Sequence, residues 1–404
     1  MTIKKGDKVS IEYTGTFEDG TVFDASEKHG KPLQCEAGAG QMIPGFDNAL
    51  IGMEKDETKE IKGSTSENLK VIAYGDGKKR KKADAMRWDL LYAAKTVKEA
   101  GDFDIVHSQH FPFVYQKDNL VVTYHNHTAG RLSQVGYPME KLLNQLKMQY
   151  STAYRLRDQY DWTMTRKAAM RIFVSDILRK DFYTTYGIDQ ARPHAIAYPG
   201  AGLAEINTNE TGSQVRDDRY FNFLFVGKGF RKKGVDTLIA AMDLLAKRSK
   251  ANFGSPMPRL LIAGVKEKLH DKLYRKLARL EGEVRYLGFC KDMAAVYGQA
   301  QALVLPSKVE PFGMVPIQAM QYGLPTIVSR VSGVSEVLSD EVDSLILKDH
   351  LSAEELAELM ARLMEDAELY ARLSAQARSK AQDLTWQKTV QATLEAYLEV
   401  LKNA

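Results

Sequence analysis

The chain has 404 residues, 44% hydrophobic and 27% charged, with a formal net charge of +4 at pH 7. That length allows two or three domains with complete cores, and so small a charge gives no reason to expect a nucleic-acid partner. The two cysteines, Cys35 and Cys290, have neither disulfide nor zinc spacing, and no apolar run approaches the roughly 20 residues of a membrane span. Met1–Lys8 runs into a polar strand pattern, not an apolar leader, so a cytoplasmic location is expected. The sequons at Asn126 and Asn209 then read as chance matches.

Residues 1–62 alternate apolar and polar in strand fashion through KKGDKVSIEYTGTFEDGTVFDAS, with Asp19-Gly20 as a hairpin turn. A loop, a short helix and another strand are expected over CEAGAGQMIPGFDNALIGMEKDETKEI. Val9, Tyr13-Thr14-Gly15, Gly20, Phe23-Asp24 and Gly40-Gln41-Met42-Ile43-Pro44-Gly45-Phe46 resemble the N-terminal half of FKBP-type prolyl isomerases of the SlyD-like branch. The resemblance implies a proline pocket lined by Tyr13, Phe23, Asp24, Ile43 and Phe46, an apolar box that favours a twisted imide. It stops after Glu60-Ile61. Ala73-Tyr74-Gly75 lies too far from Phe46 for simple alignment, and no closing strand with a pocket aromatic follows. A sheet lacking its last strand has an open edge and half a core, so an incomplete isomerase module is expected. Residues 63–68 have linker composition.

Residues 69–215 return to α/β text. Leu69–Tyr74 is a candidate strand, Lys78–Lys82 a run of five cations, and Ala83–Ala100 has helical period. Strands are expected at Phe103–His107 and Leu120–His125, followed by a helical stretch over about Met139–Lys167. Strand Ile172–Val174, helix Ile177–Tyr186 and strand Ala195–Tyr198 complete this domain. His107, His110, His125 and His127 cluster at strand ends, but without a carboxylate or cysteine at ligand spacing they read as imidazoles lining a polar cleft. No metal is expected. The basic run reads as a solvated loop, with attraction to an anionic membrane surface as the sharper alternative.

Residues 216–384 form the most legible unit. Apolar runs at Phe221–Val226, Leu260–Ala263, Ala302–Leu305 and Thr326–Val328 alternate with helical segments. Runs apolar on both faces imply a parallel, doubly wound sheet, whose ligands sit beyond the carboxyl ends of its strands. Two turns have anion-binding chemistry. Gly227-Lys228-Gly229-Phe230-Arg231-Lys232-Lys233-Gly234 joins a buried strand to a helix opening near Val235. Glycines, three consecutive cations and free helix amides suit a diphosphate, with a solvated basic loop as the alternative. Walker A spacing is absent. The second turn, Pro306 to Met314, enters the helix Met314–Tyr322 and sets Glu310 just outside it. There a carboxylate can accept from sugar hydroxyls or simply complement the helix dipole. Amphipathic helices are expected at Ala353–Asp366 and Glu368–Asp383, with a last helix over Trp386–Asn403, within residues 385–404.

The order strand, basic glycine turn, helix, E-P-F-G-x-x-x-x-Q-A and Y-G-L-P-T-I-V-S resembles the donor half of retaining GT-B glycosyltransferases. More narrowly, it is similar to family 4 enzymes of the lipopolysaccharide-core glucosyltransferase type, over about residues 68–404. The fold this implies is α/β: two doubly wound Rossmann-like domains behind the β-rich FKBP-like fragment. The first of them lacks its opening strand and Gly-rich loop, and the C-terminal helix braces it. The resemblance also implies that Gly227, Lys228, Arg231, Lys232 and Lys233 bind the donor diphosphate. Glu310 would contact the donor sugar, while amides around Phe312, Gly313 and Met314 hold sugar and phosphate. His125, at a strand end, would face the sugar ring. The family's second Glu is replaced by Gln318, which weakens its hold on the ribose by about 1 kcal/mol or more.

A nucleotide-sugar substrate (a UDP-hexose as the guess), no cofactor, a glycan or glycolipid acceptor and peripheral membrane association are therefore expected. The alternatives are an isomerase or chaperone-like module, or a catalytically silent fusion. The two family patterns meet near residue 65, each cut short at the join, and a chimera is preferred to a diverged N-terminal unit.

Overall fold

Two compact units divide between Gly77 and Lys78. The computed structural model describes residues 2–4, 6–12, 14–16, 22–25, 33–37, 50–54, 104–109, 118–128, 131, 145, 152–201, 219–228, 232–251, 256–264 and 283–403. In the first unit β1 (Lys8–Ile11) pairs antiparallel with β4 (Leu33–Glu36), and β2 (Thr14–Thr16) with β3 (Val22–Ala25). The period of two puts Val9 and Ile11 on one face, packed with Ile3 against Ala37, Leu50 and Met53. Phe23 and Asp24 lie on β3. Tyr13, Ile43 and Phe46 of the expected pocket lie outside the described residues, as do the linker 63–68, Leu69–Tyr74, Lys78–Lys82, Ala83–Ala100 and His110.

The second unit holds two parallel sheets. The first has the order β5 (Val106–Ser108), β6 (Leu120–Tyr124), β7 (Met170–Phe173), β8 (His194–Ile196), with α1 (Thr152–Lys167) and α2 (Asp176–Tyr186) between its strands. Every residue of β6 and β7 is buried, as strands covered on both faces require. Ser175 caps α2 by accepting from the Leu178 amide at 3.2 Å, and Gly187 ends it in the left-handed conformation. Arg171 on β7 is fully buried. It donates to the carbonyls of Thr165, Arg166 and Pro193, two of them in the last turn of α1, where the helix dipole favours a cation.

The second sheet contains β9 (Tyr220–Val226), β10 (Met257–Ala263), β11 (Glu283–Gly288), β12 (Ala302–Leu305), β13 (Thr326–Ser329) and β14 (Leu345–Leu347). Interleaved with them are α3 (Val235–Ala251), α4 (Met293–Gly298) and α5 (Met314–Gln321). The strand order is β11-β10-β9-β12-β13-β14, all parallel, so the winding direction reverses between β9 and β12. That reversal is the switch point at which doubly wound sheets open a crevice for ligands. Strands β11 and β14 extend the expected set. β11 is an edge strand with Arg285 and Tyr286 exposed, so it has no continuous apolar run, and β14 is only three residues long.

Three helices close the chain: α6 (Ala353–Glu365), α7 (Ala367–Asp383) and α8 (Trp386–Asn403). α8 returns to the first sheet, where its Ala396 and Val400 are buried with Val121, Met170 and Ile172. The two halves of this unit also share a core. Leu120, Tyr124, Phe173 and Phe182 belong to the same apolar cluster as Phe312, Ile317, Val328 and Val334. Among the described residues, no helix is long and apolar enough to cross a membrane.

Candidate functional site

The two anion-binding turns leave β9 and β12, the strands flanking the switch point, and they are built into each other. Gly234 has φ +71, and a Cβ there would stand 1.9 Å from the Pro306 carbonyl oxygen, so only glycine lets the first turn lie on the second. The Lys308 amide donates to the Lys232 carbonyl at 2.8 Å, and Lys308 Nζ pairs with Asp236 in the first turn of α3 at 2.5 Å. Across the same seam Lys233 Nζ donates to Glu310 Oε2. Glu310 is buried, at 9% exposure, so its carboxylate depends on that partner. Ser307 Oγ lies 3.5 Å from the same oxygen.

Helix α5 starts at Gly313, whose φ of +102 and lack of a capping side chain leave the N-terminal amides available to an anion. A Cβ at Gly313 would meet Glu310 Cγ at 3.2 Å. Pro316 in the first turn has no N–H where none is needed. The Phe312 ring is buried in the shared core, 6.0 Å from the Tyr198 ring, so what this residue can offer a ligand is backbone. Met314 packs against the same core. Lys228 is exposed, as is Lys232, yet the Lys232 ammonium is pulled below the usual lysine range by desolvation and by the like charge of Arg157 on α1. Two cations facing across the halves favour an anion between them. Arg231 lies outside the described residues. Gln318 is exposed on α5, its Oε1 accepting from the Tyr297 hydroxyl at 3.4 Å.

The other wall comes from the first sheet. Ser175, directly after β7, donates through Oγ to the Pro311 carbonyl at 2.5 Å, which fixes that strand end against the turn holding Glu310. Glu336, on the side of the second sheet, accepts from the amides of Asp176 (2.7 Å) and Ile177 (2.5 Å) and from the Tyr198 hydroxyl (3.1 Å), so it caps a helix of the opposite half. Tyr124 pairs with Phe173, which sets His125 level with Val174, one residue before Ser175. His125 is thus exposed on the same rim.

Its Nε2 lies 2.7 Å from Gln109 Oε1. His107 is set back from it, half-buried, with a pKa lowered to about 4 by burial and by the charge at His125. His127 points elsewhere, buried against Asp181 at 2.9 Å. Among the described residues, no group of three or more His, Cys, Asp or Glu is placed to hold a metal ion. Sequence reasoning singled out Glu310, Lys233 and His125 but missed Gly234 against Pro306, the Lys308–Asp236 pair and the Glu336 cap. All three are contacts between segments far apart in the chain.

A parallel sheet with two interlocked glycine turns at its switch point defines a doubly wound α/β domain with a crevice where ligands of such folds bind. Comparison with known proteins narrows this. Residues 207–380 match the family described as glycosyl transferases group 1, and residues 1–76 match FKBP-type peptidyl-prolyl cis-trans isomerases. An uncharacterized glycosyltransferase of Methanocaldococcus jannaschii is 24% identical over 74% of this chain and 75% of its own. FK506-binding protein 2 of Yarrowia lipolytica is 48% identical over 14% of this chain and 40% of its own. The chain thus spans half or less of the length of these FKBP-type relatives.

Among solved structures, WaaG, a glycosyltransferase involved in lipopolysaccharide biosynthesis, superposes with TM-score 0.61 at 20% identity, covering 78% of this chain and 84% of WaaG. Anabaena HepE, solved with UDP and glucose, gives 0.54 at 17%, covering 75% and 80%. The fold is GT-B, with residues 207–380 similar to group 1 glycosyltransferases and residues 1–76 similar to FKBP-type isomerases.

Proposed function

We propose that the second unit transfers a hexose from a nucleoside-diphosphate sugar to a hydroxyl of a glycan or glycolipid, with retention of configuration, as a family 4-type enzyme. The observation that carries this reading is the junction of the two turns at the switch point, where Lys233 and Glu310 meet. Lys228, Lys232, Lys233 and Arg231 supply positive charge where the departing diphosphate becomes more negative, the place where fixed charge lowers a barrier most. Glu310, held by Lys233 in the free protein, accepts from the hydroxyls of the donor sugar. The amides of Phe312, Gly313 and Met314 bind the same group, with Gly227 giving the diphosphate close access to backbone. His125 faces the ring from the opposite wall, and Gln318 holds the ribose as a neutral acceptor. UDP is the preferred nucleotide because HepE, of the same fold, was solved with it. No side chain is assigned as a covalent nucleophile. We place the protein in the cytoplasm, at the membrane face where a lipid-linked acceptor resides.

Release of glucose from UDP-glucose, with and without a lipopolysaccharide-type acceptor, tests this. Activity in the wild type and its loss in Glu310→Gln support transfer. A folded wild type that binds UDP but turns nothing over identifies a silent fusion instead. A second reading is favoured by the 48% identity of the N-terminal segment to an FK506-binding protein: a proline-binding module at Tyr13, Phe23, Asp24, Ile43 and Phe46. Isomerisation of a proline tetrapeptide by the full chain, abolished in Phe46→Ala, is its test.

A further inference from the structure

Behind His125 runs a continuous line of hydrogen-bonding groups that ends on the C-terminal helix. His107 Nδ1 lies 2.5 Å from the Tyr397 hydroxyl of α8, and His107 Nε2 lies 2.7 Å from Thr123 Oγ1 and 3.3 Å from Gln109 Nε2. Gln109 Oε1 lies 2.7 Å from His125 Nε2. Five side chains from three places in the chain therefore share one network, four of them at the carboxyl ends of β5 and β6 and the fifth on α8.

The orientation of the Gln109 amide selects one assignment of donors and acceptors. The Gln109 amide has its NH2 toward His107, so His107 Nε2 is an acceptor and its ring proton sits on Nδ1, donating to the Tyr397 oxygen. The Thr123 hydroxyl, at 2.7 Å, donates to the same single lone pair, which it shares with the more distant Gln109 NH2 at 3.3 Å. With its NH2 so engaged, Gln109 presents its carbonyl oxygen to His125, whose Nε2 must carry a proton. The lone pair of neutral His125 then falls on Nδ1. His107 stays neutral because burial opposes its charging, so the line transmits hydrogen-bond direction and not charge.

We infer that Gln109, His107 and Tyr397 are positioning residues that set the tautomer and ring orientation of His125 from the C-terminal helix. The kinetic part of this inference rests on the proposed placement of His125 against the donor sugar; the tautomer part does not. Tyr397→Phe gives the sharpest test, because it removes an oxygen two residues away from His125. Without it, the buried His107 Nδ1–H loses its acceptor, which favours moving the proton to Nε2. That reverses the Gln109 amide and turns His125 Nε2 into an acceptor, with its proton on Nδ1.

The experiment is 15N NMR of the full chain labelled at histidine, with His125 assigned by difference from His125→Ala. The wild type should show a protonated Nε2 and an unprotonated Nδ1, and Tyr397→Phe should shift population toward the opposite tautomer. Gln109→Ala should leave a mixture. Because Nε2–H is also the commoner form of free histidine, the change in Tyr397→Phe is the deciding result. An identical His125 tautomer in wild type and both variants would overturn the relay. In UDP-glucose turnover, Gln109→Ala should lower kcat about tenfold with KM changed less than about twofold, as expected when a group acts in the transition state and not in substrate binding. If His125→Ala turns over like the wild type, the catalytic placement of His125 fails, while the NMR result still decides the relay.

Discussion

The two sheets of the second unit solve the same problem with different resources. The second sheet has six strands among the described residues, helices on both faces, and two glycine turns that leave adjacent strands. The first sheet, four strands among the described residues, depends on the rest of the chain. Its helix α2 is capped by Glu336 from the other half, its strand end Ser175 is tied to Pro311, and its face is covered by α8. One half of a fold can therefore draw much of its stability from the other. The core shared by Phe173 and Phe182 with Phe312 and Val334 is the physical form of that loan.

Substitutions in the two halves should separate activity from stability. The largest effect is expected on the donor side. Glu310→Gln keeps the shape of the site but removes the charge-assisted partner of Lys233, so sugar release should fall about a hundredfold, with chemical denaturation little changed. Next, Arg171→Met in the first sheet removes the side-chain donor to the carbonyls of Thr165, Arg166 and Pro193, of which Pro193 keeps the Arg171 amide, and should cost about 2–4 kcal/mol in urea unfolding. UDP affinity should survive it within about twofold if the donor half is independent. Glu336→Ala removes an N-terminal cap and should cost about 1–2 kcal/mol, unfolding the acceptor side first by hydrogen exchange. Loss of protection on both sides together would erase the distinction.

The smallest effect is a pH dependence. His107 is lowered to about 4 in the fold from an ordinary 6.5, so the unfolded chain binds the extra proton between those values. Its contribution is fully present above 6.5 and is lost as pH falls toward 4. By linkage the chain should be about 1 kcal/mol less stable at pH 6 than at pH 7.5 through this group alone. His107→Gln should flatten that slope, measured as urea midpoints across the window.

Much of this was legible from the residues, for reasons that differ by element. β9, β10, β12 and β13 stand out because strands buried on both faces must be apolar throughout, and α8 runs over the Trp386–Asn403 expected from its period. Each turn was readable singly, since Gly, Pro and Lys signal anion-binding geometry locally. That they form one site was not, because it depends on strand order and on Gly234 meeting Pro306, which no local pattern encodes. For the same reason Glu336 looked like an ordinary loop residue, and Tyr397 gave no sign of reaching His107, 290 positions away.

The central claim, that the two turns are one diphosphate site, is tested most directly by calorimetric titration of the full chain with UDP, ADP and GDP. One nucleoside diphosphate, UDP by preference, should bind saturably, and Lys233→Ala and the turn-disrupting Gly234→Val should each weaken it by tenfold or more. Equal affinity in the wild type and in both variants, or no binding to any of the three by a folded chain, would contradict it.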